Sequence, residues 1–185
     1  MQRIEDAMEL LIAGVGGDLA NPGIIETPQR AAKMFAEMLE GMQYTNDQIA
    51  KMFSKNFESS KANDWVLVKD IQIFSFCEHH FALMYNMKAH VAYKPKGKVI
   101  GLSKIARIAE MAAKRLQLQE RIGTDIAEIL EKVLSTPDVM VVIEGEHSCM
   151  SGRGVRSQGA KTRSCVAQGV FSTNQSLKLE VLSQI

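Results

Sequence analysis

The sequence has almost no net charge and contains no long apolar run. Its formal net charge is +1 at pH 7, so no overall field attracts nucleic acid or an acidic membrane as a partner. Any anionic ligand must therefore be bound by a local group of basic residues. No stretch approaches the roughly 20 apolar residues that a membrane helix needs, and no basic start leads into an apolar stretch and a cleavage site. We expect a soluble, cytoplasmic chain without a signal peptide or membrane span.

Cysteine is also scarce. The chain has 3 cysteines, an odd number spread widely along the sequence, which argues against a secreted disulfide framework and favours a reducing compartment. Even the two nearest, Cys149 and Cys165, are far apart in the sequence. A thiol redox protein built on a close cysteine pair is therefore disfavoured.

The length of 185 residues, of which 46% are hydrophobic, suits one domain, or one domain with a helical extension, around a sizeable core. Apolar periodicity and turn signals predict two N-terminal helices and then a strand-rich body that contains a helical pair, an α+β architecture. We place the N-terminal helical extension at 1–62 and the body at 63–185. The predicted helices cover 2–13, 27–41, 103–116, 120–134 and part of 174–185. In the second of these, Thr27 is the predicted N-cap and Gly41 the predicted C-cap. A short helix and a loop fill 45–62, and 151–163 is a loop. The predicted strands are 65–68, 71–74, 87–93, 139–143 and 164–171.

The densest group of metal-binding side chains is Cys77-Glu78-His79-His80, and a second group, His147-Ser148-Cys149, follows far along the chain. The spacing of Cys77 and His80 lets a turn or strand end direct both at one ion. If the strand beginning at 139 continues, His147 and Cys149 share one face. Two thiolates and one imidazole suit Zn²⁺ and leave a fourth position for water.

The assignment of these donors has alternatives. With Cys77, His80 and Cys149 as ligands, His79 and His147 are left free for proton transfer near neutral pH. The same residues could instead form a structural Cys₂His₂ zinc site, or two unrelated buried Cys/His pairs. A non-catalytic zinc module would have a closed fourth ligand position, whereas a catalytic site would keep that position open.

A second candidate site is basic. Ser103 is a predicted N-cap, and Lys104 and Arg107 follow on one face of the helix start, where free N–H groups and the helix dipole favour anions. Basic residues of the loop after Cys149 would extend this site toward the metal; they are Arg153, Arg156, Lys161 and Arg163. A polyphosphate beside the metal would suit this layout, although a solvated helix face is the ordinary alternative.

Single residues give weaker signals. Glu120, beside Gln119, could accept hydrogen bonds from a base edge with two N–H donors, such as guanine, or it could be a surface or capping residue. Arg30 lies in a first helical turn, where a cation opposes the dipole, and could be a ligand contact or an ordinary solvated residue. His90 and Cys165 fall within strand patterns, which favours a structural role for both.

Several separate blocks together resemble GTP cyclohydrolase I. The order and spacing of the blocks fit the family from about Thr27 to the C-terminal end. The blocks are Thr27-Pro28-Gln29-Arg30, Cys77-Glu78-His79-His80, Val99-Ile100-Gly101-Leu102-Ser103-Lys104, Gln117-Leu118-Gln119-Glu120-Arg121, Glu146-His147-Ser148-Cys149-Met150 and Arg153-Gly154-Val155.

The resemblance implies the tunnelling fold (T-fold) for 63–185: an antiparallel sheet with two helices on one face, preceded by N-terminal helices. It also implies a toroidal homodecamer with active sites at subunit interfaces. The implied reaction is zinc-dependent opening of the guanine imidazole ring of GTP at C8, release of formate and closure of a new ring. The product would be 7,8-dihydroneopterin triphosphate, in the first step of pterin and folate synthesis.

Residue roles follow from the same resemblance. Zinc would be held by Cys77, His80 and Cys149, His147 would give a proton toward N7, and His79 would act near the ribose. Glu120 with Gln119 would bind the guanine edge. The triphosphate would be held by Ser103, Lys104, Arg107 and Arg153, with Arg30 arriving from a neighbouring subunit. A nitrile reductase of the same fold is disfavoured, because its nucleophilic cysteine and nicotinamide cofactor do not require this zinc set.

Overall fold

In the computed structural model, which describes residues 1–59 and 64–185, helices and strands are interleaved along the chain in an α+β arrangement. The helices are α1 (Gln2–Gly14), α2 (Thr27–Met38), α3 (Asn46–Met52), α4 (Leu102–Ala113), α5 (Gln119–Leu134), α6 (Ser148–Ser151), α7 (Val170–Thr173) and α8 (Gln175–Leu182), and a 3₁₀ turn covers Glu40–Gln43. The strands are β1 (Asn56–Glu58), β2 (Val66–Cys77), β3 (Ala82–Tyr93), β4 (Lys98–Ile100), β5 (Leu116–Gln117), β6 (Val139–His147) and β7 (Lys161–Ala167). Within the described ranges, no helix combines the length and apolar character needed to cross a bilayer.

The main sheet has 5 strands in the order β5-β2-β3-β6-β7. The three pairings β2–β3, β3–β6 and β6–β7 are antiparallel, and the short β5 pairs in parallel with the end of β2. A separate two-stranded sheet joins β1 to β4. The predicted antiparallel sheet of a T-fold is confirmed.

Helices α4 and α5 cover one face of this sheet and form the main core with it. Their buried stripes follow the helical period, for example Ile105, Ile108 and Ala112 of α4, and pack on sheet residues such as Val91 and Val141. A smaller cluster on the opposite face includes Phe171 and Val181 from α7 and α8. The predicted pair of helices on one face is therefore confirmed, and the C-terminal helices partly cover the other face.

Helix α2 contacts the end of β2 and the following turn through aromatic side chains. Phe35 of α2 packs against Phe76 and Phe81, with ring centroids 5.8 and 5.2 Å away. Helix α1 packs on α2 and, within the described chain, has no buried residue; Leu10 is 76% exposed. The predicted boundary between 62 and 63 lies outside the described residues, so the division into an extension and a catalytic domain stays a prediction.

Several predicted element ends are displaced. Thr27 and Ser103 are not N-caps, since Glu26 and Gly101 occupy those positions and both predicted caps lie inside the helix. Gly41 does not cap α2; it approaches α4 so closely that a Cβ atom would collide with the carbonyl oxygen of Met111. Close backbone packing, rather than helix termination, accounts for this glycine.

Strand predictions also differ in extent. The two segments predicted at 65–68 and 71–74 form the single strand β2, because a bulge at Asp70, with φ of 60°, continues the pairing with β3. Strand β1 was not among the predicted strands; its three residues form a strand by pairing with β4. Strand β7 begins and ends earlier than the predicted 164–171.

A buried polar network joins the N-terminal segment to the body. The guanidinium of Arg115 donates to Asp125 Oδ2 at 2.9 Å and to the carbonyl oxygens of Gly41 and Tyr44. Asn46 of α3 donates to the other Asp125 oxygen at 3.0 Å. The Arg115 and Asp125 side chains are each 13% exposed, so the network replaces water around both charges.

We expect Arg115→Met to destabilise the fold by about 3–5 kcal/mol, because it leaves the Asp125 carboxylate buried without its ion-pair partner. Urea unfolding followed by circular dichroism measures this. Lys132→Met is the matched control, since it removes the more exposed contacts with Asp47 and Glu128 and should cost less than about 1 kcal/mol. Equal destabilisation by the two variants would contradict the assignment of the network as a buried anchor.

Candidate metal centre and adjoining cavity

The Cys77-Glu78-His79-His80 motif lies at a hairpin between β2 and β3. Cys77 ends β2 and pairs with Ala82 at the start of β3, and the N–H of Phe81 donates to the carbonyl oxygen of Cys77 at 2.9 Å. Phe81 has a φ of 52°, which is costly for a residue with a Cβ atom. Its ring is held by Phe35 and Phe76. The tight turn therefore positions both histidines next to Cys77.

The second donor group arrives through the β3–β6 pairing, in which Met84 lies opposite His147. The predicted continuation of the strand through Cys149 is wrong, because β6 ends at His147 and the chain turns into α6. Cys149 thus reaches the hairpin from a helical turn rather than from the alternating face of a strand. The turn brings its sulfur to the same side as Cys77.

Cys77, His80 and Cys149 form one compact donor group, with ligand atoms all within 4.8 Å of one another. The Cys77 Sγ atom lies 4.0 Å from His80 Nδ1. Tetrahedral zinc with ligands at about 2.0–2.3 Å separates its donors by roughly 3.3–3.8 Å, a spacing that small side-chain rotations would reach. The three residues therefore fit a zinc ion with one open position.

The remaining histidines lie next to this triad. His79 Nδ1 is also 4.0 Å from Cys77 Sγ, yet among the described residues the mutually close donor group includes neither His79 nor His147. Burial is the main cause that raises the pKa of the Cys149 thiol, and the neighbouring Cys77 raises that pKa further. A divalent cation between the two sulfurs would reverse this effect, because thiols bind metals as thiolates.

His147 is oriented by Gln119, whose Oε1 atom lies 2.8 Å from His147 Nε2. The Gln119 amide nitrogen donates to the carbonyl oxygens of Ile143 and Thr162, each at 3.1 Å, so its oxygen must accept from His147 Nε2–H. Nδ1 is then the ring nitrogen that can take up and release a proton. Burial lowers the pKa of His147, and the negative charge of Glu120 opposes that shift.

The triad, both histidines and the start of α5 line one cavity of about 260 Å³. Gln119 is only 2% exposed, whereas the neighbouring Glu120 is exposed at the cavity wall. The two residues predicted to bind guanine therefore differ in access, since the Gln119 side chain is already hydrogen-bonded on both sides. A direct contact between Gln119 and a base stays a prediction.

The predicted anion-binding residues lie elsewhere. Ser103, Lys104 and Arg107 occupy the first turns of α4, where Ser103 and Arg107 are exposed, and Arg153 is exposed just after α6. Arg30 of α2 forms an exposed ion pair with Glu26, the N-cap of the same helix. Among the residues that the structure describes, the cavity lining contains no lysine or arginine. A single chain therefore places Glu120 beside the metal donors, but the predicted basic residues do not line this cavity.

Two contacts of this region were not anticipated from the sequence. One is the Gln119–His147 hydrogen bond, and the other is an ion pair between Glu78 of the hairpin and Arg121 of α5, at 2.6 Å. The one sequence signal that places Arg121 near the site is its position directly after Gln119 and Glu120 in the same block. His90 is remote from the triad and buried, and its Nδ1 accepts from the Asp70 N–H.

Larger cavities formed by the described residues elsewhere have linings of different chemistry. One of about 430 Å³ lies between α3 and α5 and is lined by lysines and serines, including Lys51, Lys98 and Ser54. Among the described residues, its lining contains no cysteine or histidine. The donor triad, rather than cavity size, therefore identifies the candidate site.

Comparison with known proteins agrees with this geometry. The profile of the family described as GTP cyclohydrolase I matches residues 4–185. GTP cyclohydrolase 1 of Clostridium botulinum (strain Loch Maree / Type A3) is 51% identical over 179 residues, covering 94% of this chain and 91% of that protein. GTP cyclohydrolase 1 of Clostridium acetobutylicum is 50% identical over 184 residues, with 97% and 94% coverage. That of Ruminiclostridium cellulolyticum is 51% identical over 181 residues, with 95% and 93% coverage.

We expect the purified chain to bind one zinc ion per subunit, and Cys149→Ala to weaken zinc binding by more than the roughly 100-fold upper range for loss of an outer-shell partner. Competition with a chromophoric chelator measures this affinity. Cys165→Ala is the matched control, since that thiol lies outside the triad. His147→Ala should also retain zinc; zinc loss as severe as in Cys149→Ala would show that His147 is a ligand.

Proposed function

Because the chain belongs to the GTP cyclohydrolase I family, we propose that it converts GTP, with net uptake of water, to 7,8-dihydroneopterin triphosphate and formate. The observation that carries this proposal is the open Cys77–His80–Cys149 triad in one cavity with His147 and Glu120. The triad would bind a metal ion, His147 would donate a proton, and the Glu120 carboxylate would bind the edge of the base. The product would enter pterin and folate synthesis.

We assign the zinc ion to Cys77, His80 and Cys149. When bound, zinc supplies a Lewis acid that lowers the pKa of a water to about 7, so that a nucleophile for C8 of guanine exists at neutral pH. The two thiolates and the imidazole would supply three of the four ligands that zinc takes in proteins. Among the described residues, the compact donor group contains no fourth side chain, so a water would occupy the remaining ligand position.

His147 is assigned the proton transfer to N7 of the guanine. Its Nε2–H is held by Gln119 Oε1 at 2.8 Å, which fixes the ring orientation and leaves Nδ1 as the titrating atom. Protonation at N7 withdraws electrons from C8 and makes that carbon more electrophilic. His79, on the hairpin next to Cys77, is assigned to proton transfer near the ribose during the later rearrangement.

Glu120 is assigned to recognition of guanine. Its carboxylate can accept two parallel hydrogen bonds from the N1–H and the exocyclic amine, a charge-assisted arrangement that adenine cannot match. Gln119 supports this assignment indirectly, because its burial holds the first turn of α5 against the sheet. We retain Gln119 as a candidate contact of the base, with orientation of His147 as its better supported role.

The triphosphate is assigned to Ser103, Lys104, Arg107, Arg153 and Arg30. The first turn of α4 offers free N–H groups and the positive end of the dipole. Since the described cavity lining has no lysine or arginine, we propose that neighbouring subunits complete the site at interfaces of a homodecamer. The exposed apolar residues of α1, such as Leu10 and Leu11, are consistent with burial in such an assembly.

We also propose a cytoplasmic location. All three cysteines are free thiols, and the zinc triad depends on two of them staying reduced. An oxidising compartment would favour a bond between the neighbouring Cys77 and Cys149 sulfurs. A reducing cytoplasm avoids this loss of the site.

We expect the zinc-loaded protein to release formate from GTP in step with the rise of pterin absorbance. Chelation should abolish both signals, and added zinc should restore them. ATP is the control substrate, since its base lacks the N1–H and exocyclic amine pair that Glu120 would accept. Absence of turnover by freshly zinc-loaded protein would contradict the proposed function, and equal turnover of ATP would contradict the role of Glu120.

A further inference from the structure

The ion pair between Glu78 and Arg121 connects the two halves of the candidate site. Glu78 follows the ligand Cys77 in the hairpin, and Arg121 lies in the first turn of α5, next to Glu120. The two guanidinium nitrogens of Arg121 lie 2.6 and 3.3 Å from the two carboxylate oxygens of Glu78. This two-point geometry restricts the orientation of both side chains more than a single contact would.

The backbone hydrogen bonds between β2 and β5 form a short ladder. The parallel ladder between β2 and β5 contains only Phe76 with Leu116 and Cys77 with Gln117. One further bond follows, from the Glu78 N–H to the carbonyl oxygen of Gln117 at 3.2 Å. The Glu78–Arg121 pair extends the connection to the point where the hairpin leaves the sheet.

Arg121 would be unfavourable at its position without a carboxylate partner. It lies in the first helical turn, where the helix dipole opposes a positive charge. Glu78 compensates this charge from the hairpin. The pair is partly exposed, with Arg121 at 48% and Glu78 at 31%, so its contribution to global stability should be small. An effect on local geometry is the larger consequence.

We propose that Glu78 and Arg121 form a positioning pair, which fixes the metal-binding hairpin relative to the first turn of α5. The inference rests on the proposed function, in which the hairpin holds the metal and Glu120 binds guanine. Neither residue of the pair touches GTP in this account. Their role is to set the distance between the metal, where C8 reacts, and the carboxylate that holds the opposite edge of the base.

A double-mutant cycle tests the pair. Glu78→Gln and Arg121→Gln should each lower kcat for GTP by about 100-fold, the loss expected for a misplacement near 1 Å, with the KM changed much less and zinc content unchanged. The double variant should lose no more than either single variant, because both remove the same contact. Additive losses, unchanged kinetics, or loss of zinc in parallel with activity would overturn the proposal.

The matched control is Lys88→Gln, which breaks a comparably exposed ion pair with Asp70 at 2.7 Å, away from the cavity lining. It should keep wild-type kcat and KM. All variants should melt within a few degrees of the wild type. A kcat loss in Lys88→Gln equal to that of the pair variants would overturn the proposal, because any surface ion pair would then have the same effect.

Cobalt substitution separates this inference from the proposed function, because it needs no GTP turnover. The d–d absorption of the cobalt-loaded protein reports the ligand geometry that the hairpin imposes. Both single variants and the double variant should show the same altered spectrum, whereas Lys88→Gln should match the wild type. If the wild type fails to turn over GTP but these spectra hold, the proposed function fails and the pair stands. Wild-type spectra in both single variants would overturn the pair.

Discussion

The hydrogen-bond register of β3 with its two neighbours determines where the metal donors lie. On one side Cys77 is opposite Ala82, and on the other Met84 is opposite His147. Two segments that are distant in the sequence therefore meet across the first residues of a single strand. A slip of one residue would move the side chains to the opposite face of the sheet. Strand β3 has a bulge at Asn86, which has a φ of 49°. The bulge shifts the pairing of β3 with both β2 and β6 close to the site.

The first turn of α5 provides two different functions from adjacent residues. Gln119 points into the sheet, where it bonds two strand carbonyls and His147, and Glu120 points to the cavity. This division follows from helical geometry, because consecutive side chains are about 100° apart around the axis. Beneath this turn Asp125 is held by Gln117 at 2.6 Å and by Arg115 at 2.9 Å. The buried network therefore supports the surface that we assign to base recognition.

Much of the fold was predictable because apolar periodicity reports burial directly. The stripes of α4 and α5, and the buried run of β6, led to the correct helices, strand and α+β class. Element ends were less predictable, as at Ser103, where a residue with a good capping side chain lies inside the helix. Gly101 follows β4 directly and is the N-cap of α4 instead, although serine is among the preferred capping residues.

The candidate site was predictable in its composition but not in its geometry. The donor types and their spacing indicated zinc, and the structure brings Cys77, His80 and Cys149 together. The route of Cys149 was missed, because the strand pattern of β6 gives no sign that the chain turns after His147. The Gln119–His147 bond could not be inferred either, since it depends on how α5 packs on the sheet. Such long-range contacts become visible only when the register is known.

We propose that this register assembles a three-ligand zinc site with an open fourth position. Zinc K-edge X-ray absorption of the zinc-loaded protein counts and identifies these ligands. We expect two sulfur ligands at about 2.3 Å and two nitrogen or oxygen ligands at about 2.0–2.1 Å, of which one is imidazole and one is water. In Cys149→Ala one sulfur should disappear. A shell with two imidazoles that loses one of them in His79→Ala or His147→Ala would contradict the account, because the site would then be closed and structural.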